Sequence, residues 1–302
     1  MKSMKIHWHF CMLSLFLLAA GLLLSRPSRA DDPLPSSLVK SSQASSGSTD
    51  VATSGFEKAE KLAAEAKDAT ELEISAGGLA SAGNSRSMAA TSAGKFRLRR
   101  SSNQVGAAIA ANYAQSAAGK DQGLKTTVEN FQGKLRYDRF LSGSFAVFGA
   151  ASARHDRFQG LNLRLNLDPG VEYFIIDEEK QQLWTEVGYD FQYDVRSEEV
   201  RATALTQGMF LGKVLTRHSA RAYAGYSNAV SDTVTVATGL EYLQGLSESK
   251  NYRLNWDGSV NSAVGKGFSI ATTVSVRYDH NPLPEIEKTD VVTSISLVYH
   301  LL

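Results

Sequence analysis

The chain has 302 residues, with 32 Lys and Arg against 31 Asp and Glu, which is enough for one large domain or two small ones. The first 30 residues carry four basic residues and no acidic one, so a chain without them has 28 basic against 31 acidic residues and a net charge of −3. This balance argues against a nucleic-acid-binding protein. The one cysteine, Cys11, lies in the same stretch, so a chain without it could form neither a disulfide nor a thiolate metal site.

The N-terminal 30 residues have the order of a secretory signal. Lys2 and Lys5 precede an apolar run over residues 11–24, and Ser28-Arg29-Ala30 follows as a small-x-small cleavage site. The alternative is a retained membrane anchor, but the run has only 14 residues, whereas a spanning helix needs about 20. Residues 1–30 are therefore predicted to be a cleaved signal peptide for export.

Residues 31–69 are predicted to form a Ser-rich disordered linker with a short helix. The serine-rich part has little apolar surface to bury. Residues 55–69 favour a helix, with Glu57 and Lys61 four residues apart. This segment could be a solvated helix or fraying linker, or a periplasmic plug or partner-docking helix.

From Thr70 onward, apolar and polar residues alternate with the period of two that is typical of strands. The length of the segments suits tilted membrane strands, which need about 9–11 residues to cross the hydrocarbon. About twelve strands are predicted, at 70–81, 86–100, 103–117, 126–141, 143–156, 160–176, 182–196, 213–230, 232–245, 250–264, 267–280 and 288–302.

The alternation and the connections together indicate the fold class. Leu161, Leu163 and Leu165 alternate with polar residues, which suits a strand with lipid on one side and a polar lumen on the other. Short turns alternate with longer loops, as in bacterial outer-membrane barrels. Since no second long apolar run exists, a membrane protein of this sequence must be a barrel. A soluble β-sandwich, whose strands also alternate, is the alternative.

The prediction is therefore an all-β protein whose residues 70–302 form a transmembrane antiparallel up-and-down β-barrel of about 12 strands in the outer membrane of a Gram-negative bacterium. Its expected partners are the lipid of that membrane, the machinery that inserts barrels, and ions or small solutes. No nucleic acid and no cofactor are expected, and the oligomeric state stays open.

The predicted lumen face is rich in acidic and basic residues in similar number. One interpretation is an internal ion-pair network that fills a narrow barrel, and the other is a charged lining that selects ions. Twelve strands would give a lumen between the side-chain-filled barrel of about 8 strands and the open porin of about 16. The residues of this predicted network are Arg136, Asp138, Arg154, Asp156, Arg164, Asp168, Glu186, Asp190, Asp194, Arg253, Asp257, Arg277 and Asp279.

Two His-Asp pairs, His155-Asp156 and Asp279-His280, are predicted at the outer rim. Adjacent residues of a strand point to opposite faces, and no serine is indicated as a third member of a hydrolytic site. No His-x-His spacing follows the signal segment. The sequence therefore predicts no catalytic, cofactor-binding or metal-binding residue, and a rim enzyme is the least favoured hypothesis.

Several motifs resemble a known family. They are the Leu135–Leu141 run, Phe148-Gly149, His155–Leu161, Arg164, Gly170–Tyr173, Glu186–Tyr189, Arg277–Asp279, Pro282, Lys288–Asp290 and Ser296–Tyr299. The chain resembles the salt-induced outer-membrane proteins of Gram-negative bacteria, a family defined by domain of unknown function 481. The resemblance implies an outer-membrane barrel and a role in envelope structure or in salt or osmotic adaptation, with no established activity. A narrow passive channel for ions or small solutes is the alternative function.

Overall fold

The structure is a computed structural model. It describes residues 69–81, 86–117, 123–157, 160–178, 180–265, 267–281 and 288–300. The predicted signal peptide and residues 31–68 of the predicted linker, with its helix, lie outside the described residues, while Ala69, the last residue of that linker, begins β1. The described segments contain no helix that combines the length and the apolar character needed to cross a membrane.

Twelve antiparallel strands form one closed barrel, in which β1 pairs with β2 and with β12. Each of the strands from β2 to β11 pairs with the strand before it and the strand after it in the sequence. The strands are β1 (Ala69–Ser81), β2 (Arg86–Arg100), β3 (Asn103–Ala117), β4 (Lys125–Phe140), β5 (Phe145–Asp156), β6 (Leu161–Asp177), β7 (Gln181–Arg196), β8 (Val214–Ala229), β9 (Val234–Gly245), β10 (Tyr252–Gly265), β11 (Phe268–Asp279) and β12 (Thr289–His300).

The predicted all-β barrel of twelve strands is confirmed. Each predicted strand is present, and each boundary lies within two residues of the predicted one; the strand predicted over 126–141, for example, is Lys125–Phe140. The agreement has a physical reason: a strand in a closed sheet has one face toward the interior and one toward the surroundings, so it keeps a strict period of two.

One element differs from the prediction. The long connection between β7 and β8 contains helix α1 (Glu198–Thr206), where only a loop is predicted. The Ser197 hydroxyl accepts a hydrogen bond from the Val200 amide at 3.3 Å, and two glutamates occupy the first turn. Gly160 packs closely against α1. It has a φ of +63°, and a Cβ at that position would lie 2.4 Å from Val200 Cγ2, so only glycine fits there.

The two ends of the barrel differ in the size of their connections. At one end, which we call the turn end, strands are joined by two to four residues, at 101–102, 141–144, 178–180, 230–233 and 266–267. The opposite end, the loop end, carries most of the longer connections, including the segment with α1. β1 begins and β12 finishes at the turn end.

The barrel has its polar residues inside and its apolar residues outside. On β4, Gln132, Lys134 and Arg136 are buried in the interior, whereas Phe131 and Leu135 are more than half exposed on the outer surface. Buried and exposed positions alternate in the same way along β5 to β8. A compact apolar cluster lies inside near the turn end and consists of Phe140, Ala146, Phe174, Trp184 and Tyr223.

Candidate functional site: the charged interior

The centre of the interior is organised around Glu186 of β7. Its carboxylate accepts a hydrogen bond from Arg136 of β4 at 2.8 Å and another from Arg221 of β8 at 2.6 Å. All three side chains are at most 2% exposed. Charges removed from water to this degree are tolerated only when each is paired and hydrogen-bonded.

Further bonds extend from both arginines. Arg136 also contacts Asp138 at 2.7 Å and Glu172 at 3.1 Å. Arg221 contacts Glu241 at 2.6 Å, and Glu241 also accepts from Asn255 at 2.8 Å. The bond from Arg136 to Glu186 joins β4 to β7 and passes over the inner faces of β5 and β6. The network therefore crosses the interior as a chord instead of following the wall.

A second layer lies nearer the loop end. Arg253 of β10 donates to Gln192 of β7 at 2.8 Å and lies 3.5 Å from Asp190. Arg164 of β6 binds Asp194 through two bonds of 2.7 Å, a forked geometry that arginine favours for carboxylates. The bond from Arg253 spans β8 and β9, so this layer also bridges strands that are not neighbours.

The predicted network residues are found as follows. Eleven of the thirteen are buried in the interior, and Asp257 and Asp279 are half-buried. The remaining ion pairs among them are local: Arg154 with Asp156 at 2.7 Å and Arg277 with Asp257 at 2.6 Å. Asp168 is buried on the inner face of β6, and Asp279 lies 4.0 Å from Arg217.

The sequence-based prediction omits several residues of the network. Glu172, Gln192 and Arg217 contact strands that are not their neighbours. Arg221, Glu241 and Asn255 link adjacent strands from β7 to β10. The alternation of inward-facing and outward-facing residues could have identified them, because each lies an even number of residues from the inward-facing positions of its own strand. Alternation predicts the face of the sheet that a side chain occupies, but it does not predict which residue it contacts.

The remaining wall of the interior is lined mainly by small side chains. On β1 to β3 and on β11, the inward-facing positions are mostly Ala, Gly, Ser and Thr, with Lys95, Arg97 and Arg99 near the turn end. Arg97 pairs with Glu71, and Lys95 lies 4.0 Å from Glu73. Small inward-facing residues of this wall include Ser75, Gly77, Ala89, Thr91, Ala93, Ala108, Ala110, Ala271, Thr273 and Ser275.

The two His-Asp pairs are split between faces or engaged in other contacts. Asp156 is buried with Arg154, whereas the outward His155 ring lies 3.0 Å from the Asn162 carbonyl oxygen. His280 stacks on Tyr252 with ring centroids 4.4 Å apart. Within the described ranges, no three His, Cys, Asp or Glu side chains are grouped so that they could hold a metal ion.

Comparison with known families identifies the domain. The family described as "Protein of unknown function, DUF481" matches residues 74–301, about three quarters of the chain. The chain belongs to the DUF481 family. The family resemblance seen in the sequence motifs is thereby confirmed, while the association of this DUF481 protein with salt stays a prediction.

No curated protein sequence matches the chain. Several solved barrels are similar to this DUF481 protein at low identity. A NanC porin is 11% identical, with a TM-score of 0.47, and the match covers 76% of this chain and 100% of that one. An outer-membrane channel from Pseudomonas putida F1 is 11% identical, with a TM-score of 0.43 and coverage of 80% and 100%. The translocator domain of the autotransporter NalP from Neisseria meningitidis is 10% identical, with a TM-score of 0.42 and coverage of 76% and 86%.

Proposed function

We propose that this protein is a non-enzymatic barrel of the Gram-negative outer membrane whose lumen is largely closed by its own ion-pair network. Its role is in the structure of the envelope or in its adaptation to salt or osmotic change. The observation that carries the proposal is the inverted distribution of residues, with charges paired inside and apolar side chains outside. In water this arrangement would leave a large apolar surface exposed, whereas in a bilayer it is the expected one.

The outer surface supports a membrane location in a second way. Exposed aromatic residues lie near both ends of the strands: Tyr113, Phe131 and Tyr242 toward the loop end, and Tyr137, Tyr173, Phe268 and Tyr299 toward the turn end. Between them the surface is aliphatic, with Ile109, Leu135, Leu165 and Leu167 exposed. Two aromatic girdles around an apolar band are typical of barrels in the outer membrane.

The interior supports the closed lumen. Glu172, Glu186, Gln192, Glu241 and Asn255 have no exposed surface although they face the inside of a barrel. Toward the turn end the apolar cluster adds a second obstruction, in which Trp184 and Tyr223 have ring centroids 6.2 Å apart. An interior in which most of the charged side chains are paired with one another leaves few polar groups to act on a substrate, which favours a structural role over a catalytic one.

The membrane location is tested by fractionation and gel mobility. The folded protein is expected in the outer-membrane fraction and should migrate differently on a denaturing gel before and after boiling. Recovery from the soluble periplasm would contradict the proposal. The role is tested by deleting the gene and following survival after a sudden increase in NaCl. We expect reduced survival that is restored by the wild-type gene, and unchanged survival at every salt concentration would contradict a role in adaptation.

A narrow passive channel is the second candidate, and the small-residue wall favours it. Thr91, Ala93 and Ala110 face the interior and are only half-buried, so water can reach this side of the lumen. In proteoliposomes, a channel of this kind would admit small sugars. An Ala93→Trp substitution would slow the uptake, because the indole fills the space beside β2. Uptake that is absent in the wild-type protein would exclude this candidate.

A further inference from the structure

A cavity of about 360 Å³ lies at the loop end of the barrel. It is bounded by the last residue of β7, the first part of β8 and β10, the end of β11 and the connection between β9 and β10. Its polar lining includes Arg196, Arg217, Arg253, Asp279, Asn251 and Asn281. We call it the loop-end cavity.

Basic groups outnumber acidic groups in this lining. Three arginines face it, against the carboxylates of Asp279 and Glu248. Glu248 accepts a hydrogen bond from the Asn251 side chain at 2.8 Å, and Asp279 accepts one from the Asn281 amide at 2.9 Å. Both carboxylates keep their charge but have part of their hydrogen-bonding capacity taken by these neutral donors. Three guanidinium groups against two carboxylates leave the lining with a surplus of one positive charge.

The three arginines differ in how firmly they are paired. Arg253 is held by Gln192 and Asp190 in the network. The ion pair of Arg217 with Asp279 is long, at 4.0 Å. The Arg196 guanidinium donates to the Gly212 carbonyl oxygen at 3.3 Å, and none of the ion pairs found among the described residues includes it. Two guanidinium groups therefore face the cavity without a carboxylate at close hydrogen-bonding distance.

We propose that the loop-end cavity binds a small oxyanion, a carboxylate or phosphate solute that arrives from outside the cell. A guanidinium group presents a planar fork of donors that matches the oxygens of these anions, and charge-assisted bonds of this kind are among the strongest polar contacts in proteins. The Asn251 side-chain amide already donates to Glu248 and that of Asn281 to Asn251, so each has one further N–H to offer as a neutral donor. Arg217, Ser219 and Arg253 belong to the inner face of their strands, so the ligand enters through the mouth of the barrel and not from the bilayer.

The binding site does not depend on whether the lumen conducts, because it lies at the mouth, beyond the central layer around Glu186. Anion binding would also give a function to Arg217, whose ion pair within the network is long. The Arg217 side chain is mostly withdrawn from water, at 29% exposed, and its ion pair with Asp279 is long, so a bound anion would compensate its charge more fully.

The test is a titration of the full-length protein, purified from membranes in a neutral detergent, with inorganic phosphate followed by phosphorus NMR. We expect saturable binding, and we expect Arg217→Gln to weaken it by about tenfold, the effect of losing one charge-assisted bond. Arg217→Lys should restore part of the loss. The matched control is Arg157→Gln, which removes the same charge from an exposed loop-end arginine paired with Glu129 outside the cavity.

The control should bind phosphate like the wild-type protein. Absence of saturable binding in the wild type would overturn the proposal. So would equal losses in Arg217→Gln and Arg157→Gln, which would indicate attraction to the charge of the whole rim. Should Arg217→Gln fail to show the heat-dependent gel shift of a folded barrel, Asn281→Asp takes its place. Asn281 is exposed, and a negative charge there should weaken binding several-fold, whereas unchanged binding would count against the site.

Discussion

The interior of the barrel has two unlike halves. From β4 to β10 many of the inward-facing side chains are large and charged, and some meet one another across the lumen, as Arg136 and Glu186 do at 2.8 Å. From β11 through β12 to β3 they are mainly small, as at Thr91, Ala93 and Ala110. Both halves have the same strand geometry and the same alternation. The two halves differ in the size of the side chains that face the interior.

The comparison teaches that closure of this lumen is local. The charged half contributes long side chains, and the small-residue half leaves space beside them in the lumen. Stability and permeability should therefore respond differently to the same substitution in the two halves. The outer surface should respond alike in both, since both face the same surroundings.

The largest effect is expected at the hub of the charged half. Glu186→Gln removes the charge that pairs with Arg136 and Arg221, so two buried cations lose their common partner. The loss of unfolding free energy should be about 3–5 kcal/mol, as for other broken buried pairs. It is measured by urea unfolding of the barrel in lipid vesicles, followed by tryptophan fluorescence.

Glu129→Gln is the matched control for this substitution, because Glu129 pairs with Arg157 at 3.1 Å on an exposed surface. Its cost should stay between about 0 and 1 kcal/mol. Equal costs for the two variants would mean that the interior network is as hydrated as the exposed Arg157–Glu129 pair, and would contradict a water-excluding network in the charged half.

The next effect concerns the outer surface, which the two halves should share. Leu167→Arg on β6 and Ile109→Arg on β3 place a charge at mid-strand in the charged and the small-residue half respectively. Each should cost about 2–4 kcal/mol in lipid, whereas Ile175→Arg near the turn end should cost about 0–1 kcal/mol. The same unfolding measurement checks this, and a cost independent of depth would contradict the membrane location.

The smallest effect compares the halves directly. Ala150 on β5 is buried between its strand neighbours Arg136 and Asp168, whereas Ala93 on β2 is half-buried on the small-residue wall. Ala150→Met should cost about 1–3 kcal/mol because the interior there is already packed. Ala93→Met should stay within about 0.5 kcal/mol. A reversal of this order in urea unfolding would show that the filled half is the other one.

The strands are well predicted by the sequence, and the interior only in part. Alternation marks which face a residue occupies, so the sequence alone assigns Arg136, Asp190 and Arg253 to the inner face. It cannot specify that Arg253 reaches Gln192 across two strands, because that contact depends on strand tilt, register and side-chain rotamer.

Helix α1 escapes prediction for a different reason. A long loop between two clear strands has no core-facing periodicity, although Ser197 followed by Glu198 and Glu199 carries the capping signal of a helix start. The loop-end cavity could not be predicted either. Arg196, Arg217 and Arg253 lie on three different strands, and only the closed sheet brings them to one opening.

The central claim is that the charged network closes the lumen, and single-channel recording in planar bilayers tests it most directly. The wild-type protein should show no steady openings. A variant with both Arg136→Ala and Glu186→Ala, which loses the chord between β4 and β7, should show them wherever it still folds. Steady openings of the wild-type protein, unchanged in the double variant, would contradict the account.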